Sequence, residues 1–158
     1  MKQPRRHWWV WILVAGYIWL IFRNSLMAAS ISASASIKVT YYLLHILERF
    51  GLYANFSIFH HYVRKLAHFT EFAGLGFLVT FAMELCPLFK SRLLNFLLFL
   101  FAIPAADETI QRFVAGRSSE LRDMLIDGSG FLFGGLICYI LFLILRDLFY
   151  SNHKGARA

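Results

Sequence analysis

The feature that most constrains this chain is the segregation of its apolar residues into four blocks, residues 8–22, 66–85, 93–106 and 128–145. An oversized aqueous core would spread its apolar residues as stripes. Continuous blocks of this kind are membrane segments. The composition, 59% apolar and only 16% charged, follows from them and lies far from the usual globular balance. At 158 residues the chain is one domain. The expected fold class is all-α, an integral membrane bundle of four transmembrane helices.

The cations qualify this picture without changing it. A formal charge of +7 could suggest nucleic acid, but Lys and Arg cluster at the ends of the apolar blocks. The partner they suit is an anionic lipid headgroup, and no nucleic-acid partner is expected. Cys86 and Cys138 have neither metal spacing nor redox spacing and read as small apolar residues.

In chain order, Lys2, Arg5 and Arg6 precede the first block, in which Trp8, Trp9, Trp11 and Trp19 resemble interfacial anchors. Ala33-Ser34-Ala35 imitates a signal-peptidase site, but it lies well beyond the apolar run, so the block is read as an uncleaved helix. Residues 23–36 form a Ser/Ala-rich connection without periodicity. Lys38, Tyr42, His45 and Arg49 then recur at helical spacing opposite Val39, Leu43, Ile46, Leu47 and Phe50. This is an amphipathic helix between spans one and two, expected either at the interface or as a short helix packed over the mouth of the bundle, and stopped at Gly51. Pro104 is expected to kink the third span near its end. The shorter blocks fall below the ~20 residues that cross a bilayer. The third helix is therefore expected to continue through Asp107, Glu108 and Gln111, with the first thinning the bilayer locally. The spans are placed at 8–23, 66–85, 93–111 and 128–146, with 151–158 a polar tail.

Counting spans brings polar groups together. The end of helix one, the start of two, the end of three and the start of four share one side. Arg23, Asn24 and Ser25 thus meet Arg64, Lys65, His68, Glu71, Asp107, Glu108, Gln111, Arg117, Asp123 and Asp127. Charged groups at a membrane boundary are costly unless paired or wetted, and so they commonly mark function. Lys and Arg divide evenly between the two sides. Their higher density beside the termini, and the basic amino-terminal heptapeptide, place both termini in the cytoplasm and the cluster on the outer face. Glu108 and Arg112 form an i, i+4 pair. Gly130 and Gly134 form a GxxxG contact that lets the last helix approach a neighbour closely.

Two separated motifs carry a resemblance. Arg64-Lys65-Leu66-Ala67-His68-Phe69-Thr70-Glu71-Phe72 is the first. The second is Asp107-Glu108-x-x-Gln111-x-Phe113-x-x-Gly116-Arg117, followed by Asp123-x-x-x-Asp127-x-x-Gly130. Together they resemble the signature of the VanZ-like membrane proteins, closely over 60–135. Ala115 stands where the family commonly has proline, Ile110 where some relatives have histidine, and Asp127 where part of the family has asparagine. The resemblance implies a single VanZ-like membrane domain over 1–150 in the bacterial cytoplasmic membrane. It also implies an association with susceptibility to the glycopeptide teicoplanin.

Three readings of the cluster stand side by side. It is a paired network that specifies the bundle, since buried charges must be paired whatever the function. It is a binding site for an anionic lipid or a lipid-linked cell-wall precursor, with Arg117, Arg64 and Lys65 as the anion-gripping set. Or it is catalytic, with His68, Glu71, Asp107 and Glu108 as acid/base candidates. A histidine among carboxylates can also hold a metal. No HExxH, Cys/His spacing, phosphate loop or Ser-His-Asp order is present, so no metal site, cofactor or enzyme class is assigned. A transporter is disfavoured, because short spans lack a discontinuous-helix pair. Self-association through Gly130 and Gly134 stays open.

Overall fold

A computed structural model describes residues 7–117 and 120–155, and among these the regular structure is entirely helical. Five helices follow one another: α1 Trp9–Ser25, α2 Ala29–Arg49, α3 Phe56–Leu85, α4 Arg92–Arg112 and α5 Leu121–Gly155. Lys2, Arg5 and Arg6 lie outside the described residues, as does the end of the tail. Helices α3, α4 and α5 are long and apolar enough to cross a membrane. Helix α1 is apolar but has 17 residues. At about 1.5 Å per residue it falls short of a ~30 Å hydrocarbon core. The four expected spans thus become three long apolar helices and one shorter one.

Local chemistry sets the ends. Asn55 caps α3 by accepting hydrogen bonds from the backbone N–H groups of Ser57 and Ile58. Ser91 does the same for α4 at Leu94. Gly51, at φ +74°, closes α2: its N–H reaches the Glu48 carbonyl, and the Leu52 N–H reaches that of Leu47. That is a Schellman stop, which needs a residue tolerating positive φ. Helix α4 continues through Pro104 to Arg112, with Asp107, Glu108 and Gln111 buried as expected.

Three boundaries differ from expectation. The Ser/Ala-rich connection is helical from Ala29, so α2 is much longer than its amphipathic part. Ser and Ala without a clear apolar face carry no periodicity to read, yet alanine is the best helix former. Helix α5 begins at Leu121, taking Asp123 and Asp127 into its first turns, and continues to Gly155 through part of the segment read as a polar tail. Helix α3 extends a polar amino-terminal part, from Phe56, beyond its apolar block. Helix α2 packs on this part of α3, with Thr40 wholly buried and 3.1 Å from His60 Nδ1.

Helix α3 is the hub, touching all four others and α5 most extensively. Val10, Val14 and Ile21 from α1 meet Phe72, Leu75, Val79, Ala82 and Met83 from α3 and Phe131 from α5. The backbones of α3 and α5 come so close that a Cβ on Gly130 would overlap the Phe69 carbonyl, and one on Gly134 that of Ala73. The GxxxG surface is therefore used within the chain. Outward-facing Trp8, Trp19, Leu93, Phe101, Leu132 and Leu136 remain exposed, as lipid-facing side chains are. At one end of the bundle, Trp11 Nε1 donates to the Cys86 carbonyl at 2.7 Å and Arg92 pairs with Glu84 at 2.8 Å. The opposite end holds the polar cluster.

Candidate functional site

Asp107 anchors the cluster. It is wholly buried one turn after Pro104, where α4 comes beside the end of α1. The Ser25 hydroxyl donates to Asp107 Oδ1, and Gln111 Nε2 donates to Oδ2 at 2.6 Å. The Gln111 bond depends on i, i+4 spacing, and the Ser25 bond on α1 ending at this depth. Both carboxylate oxygens are thus held.

Asn24 supplies the second tie. Its side-chain amide donates to Glu71 Oε1 at 2.8 Å, and its backbone carbonyl accepts from Arg117 Nη2 at 2.9 Å. Arg117 reaches back because Gly116, at φ +76°, turns the chain after α4. Burial draws the Arg117 pKa below the ordinary guanidinium value and nearby Arg64 adds to this, while Asp107, Glu71 and Glu108 pull the other way. Among the described residues Arg117 Nε has no hydrogen-bond partner. A guanidinium so placed has donor capacity left for an anion.

The third part is a histidine and a second buried carboxylate. His68 Nδ1 is 3.5 Å from Asp127 Oδ1, an ion-pair distance too long for a well-made hydrogen bond. Asp127 is wholly buried. His68, Asp107 and Asp127, from three different helices, each present a ligand atom within 4.8 Å of the others.

Two cavities share His68 and Arg64. The larger, of about 410 Å³, lies between the end of α1, α2 and α3 under Arg117; Met27, Val39, Val63 and Ala67 supply its apolar wall, and Asn24, Ser25 and Glu71 its polar floor. The smaller, of about 90 Å³, adds His61, Lys65, Gln111, Glu120 and Asp123. Lys65 lies 3.6 Å from Asp123 at its rim. Seven of the ten expected ligand-binding residues line these two neighbouring cavities, and the wholly buried Asp107 and Asp127 lie against two of them, Gln111 and His68. Glu108 turns away: it is buried beside Ala105, Thr109, Arg112, Glu120 and Met124, on the α4–α5 side. Adjacent residues on a helix point about 100° apart, so Asp107 and Glu108 face different spaces.

Sequence reasoning placed Asn24 and Ser25 on this face without giving either a role. Their signal was a polar pair closing an apolar run. Ser36 and the apolar wall were missed, since the packing of α2 on α3 brings them in, and His61 was missed because it lies on the part of α3 that precedes the expected span. The lack of a linear metal motif says nothing of His68, Asp107 and Asp127, which lie on separate helices.

The family model described as VanZ/LLP1 matches residues 9–144, and the chain belongs to that family, a family of membrane proteins. No curated protein and no solved structure matched this chain.

Proposed function

We propose that this VanZ/LLP1 family member binds an anionic, lipid-linked component of the bacterial cell envelope in the cavity under Arg117. The observation that carries this reading is the half-used Arg117 guanidinium, placed with Arg64 over a cavity with one apolar wall. A phosphate or carboxylate would take the remaining donors. The acyl or polyprenyl chain would lie along Met27, Val39, Val63 and Ala67. A volume of about 410 Å³ suits a headgroup and the first part of such a chain.

In this reading the protein resides in the cytoplasmic membrane with both termini in the cytoplasm. The cavity faces outward, where cell-wall precursors and glycopeptides meet. Occupying or sequestering a precursor there would change teicoplanin susceptibility. The test is susceptibility of a sensitive host expressing the natural protein, Arg117→Ala or Asp107→Asn at matched membrane levels. Protection by the natural protein, lost in both variants, is the expected result. Protection kept by both would make the cluster architectural.

One observation favours a second reading, acid/base chemistry on the bound lipid. His68 lies against Asp127 and lines the same cavity, and such a pair can move a proton. This reading fails if purified protein yields no product from envelope lipids and Asp107→Asn retains full function.

A further inference from the structure

The geometry points to a divalent transition-metal site, of the zinc or manganese type, formed by His68, Asp107 and Asp127 at the junction of α3, α4 and α5. The three ligand atoms already lie within 4.8 Å of one another, and His68 Nδ1 to Asp127 Oδ1 is 3.5 Å. Around an ion with bonds of about 2.1 Å, ligand atoms sit about 3.4 Å apart in a tetrahedron, and about 3 Å or, when opposed, about 4.2 Å apart in an octahedron. Small side-chain rotations close that difference.

A second observation singles this cluster out. Asp127 is wholly buried, and among the described residues neither of its carboxylate oxygens has a hydrogen-bond partner; nor does His68 Nδ1, which faces it. A buried carboxylate without donors is costly, so the site calls for a positive partner. A protonated His68 would supply one charge against Asp127, Asp107 and the nearby Glu71. The neighbouring Arg117 guanidinium adds one charge beside Asp107, Glu71 and Glu108 and makes no hydrogen bond to Asp127, so the carboxylates still outnumber these two cations. A dication answers the surplus.

Asp107 differs from Asp127 in an informative way. Ser25 and Gln111 hold its two oxygens, the kind of outer support that orients a metal-ligating carboxylate. One imidazole with two carboxylates suits zinc or manganese better than the softer, thiolate-seeking ions. Three protein ligands leave coordination positions free, and His68 lines both cavities, so an ion has access from the aqueous side. If the anion reading also holds, a phosphate oxygen would complete the coordination.

The test uses the full-length protein in detergent, stripped with chelator and titrated with ZnCl2 or MnCl2 alone by calorimetry, with metal content checked by elemental analysis. About one equivalent is expected to bind. His68→Ala and Asp127→Asn are expected to weaken binding at least tenfold while helicity is unchanged, and Ser25→Ala to weaken it by about tenfold through Asp107. A folded natural protein that takes up neither ion overturns the inference. So does uptake that His68→Ala and Asp127→Asn both leave unchanged. No lipid enters the assay, so its failure is distinct from failure of the anion reading, which the Arg117 variant tests.

Discussion

The Arg117 guanidinium donates to the Asn24 carbonyl at 2.9 Å, joining the α4–α5 loop to the end of α1 across 93 positions of sequence. The same asparagine holds Glu71 of α3 through its amide. Asn24 is therefore the keystone that sets both a cation and a carboxylate at the wall of one cavity. Asn24→Ala is expected to weaken anion binding nearly as much as Arg117→Ala, because Arg117 loses its carbonyl register when α1 loses its tie to Glu71. Binding of a polyprenyl phosphate by both variants, side by side, checks this.

The α3–α5 contact has no room for a methyl group at two places. Gly130→Ala and Gly134→Ala would each drive a Cβ into an α3 carbonyl, at Phe69 and Ala73. Each is expected to cost about 1–3 kcal/mol, the usual range for overpacking. Gly16→Ala is the control, since its Cβ would meet nothing within 4 Å. Thermal unfolding in detergent should show the first two shifted down and the third near the natural value.

Ser25→Ala removes the α1 donor to buried Asp107. Leaving one oxygen of a buried carboxylate without its donor costs about 1–3 kcal/mol. The expected outcome is a lower unfolding midpoint, largely recovered in Ser25→Thr, which keeps a hydroxyl. Thermal unfolding of the two variants together reads this directly.

The Lys65–Asp123 pair should matter little to stability. Both side chains are more than a quarter exposed and stand 3.6 Å apart. Partly exposed pairs of this kind contribute about 0–1 kcal/mol. Lys65→Ala is expected to unfold within that range of the natural protein while lowering the association rate of an anionic lipid, a rate that should become less sensitive to salt.

Orientation is open to a direct check. With Cys86 and Cys138 replaced by serine, His7→Cys should react with a membrane-impermeant thiol reagent only after the cells are broken open. Glu120→Cys, at the rim of the smaller cavity, should react in intact spheroplasts. The reverse pattern would put the cluster on the cytoplasmic side.

Much of this arrangement was legible in the sequence, for identifiable reasons. Residues 93–111 were read as a helix and α4 spans Arg92–Arg112, because a continuous apolar run ending in Asp107, Glu108 and Gln111 can reach bilayer length only by including them. Gly51 read as a stop and supplies a positive φ. Convergence of His68, Asp107 and Asp127 followed from counting apolar blocks. Three things were not legible. Where α2 begins has no periodic signal among small residues. The rotational phase that sends Asp107 inward and Glu108 toward Met124 depends on how α4 seats against α1 and α5. The burial of Thr40, and with it the wall of the larger cavity, arises from α2 folding back on α3, a tertiary fact with no local mark.

The most direct measurement is the affinity of a polyprenyl phosphate for the purified protein in lipid nanodiscs, natural sequence against Arg117→Ala and Arg117→Lys, with helicity recorded for each. Charge-assisted hydrogen bonds of about 1.5–3 kcal/mol set the scale. The alanine variant should bind about 10–100 times more weakly, with lysine between it and the natural protein. Equal affinity across the three folded proteins would contradict the account, leaving Arg117 as a tie between helices and nothing more.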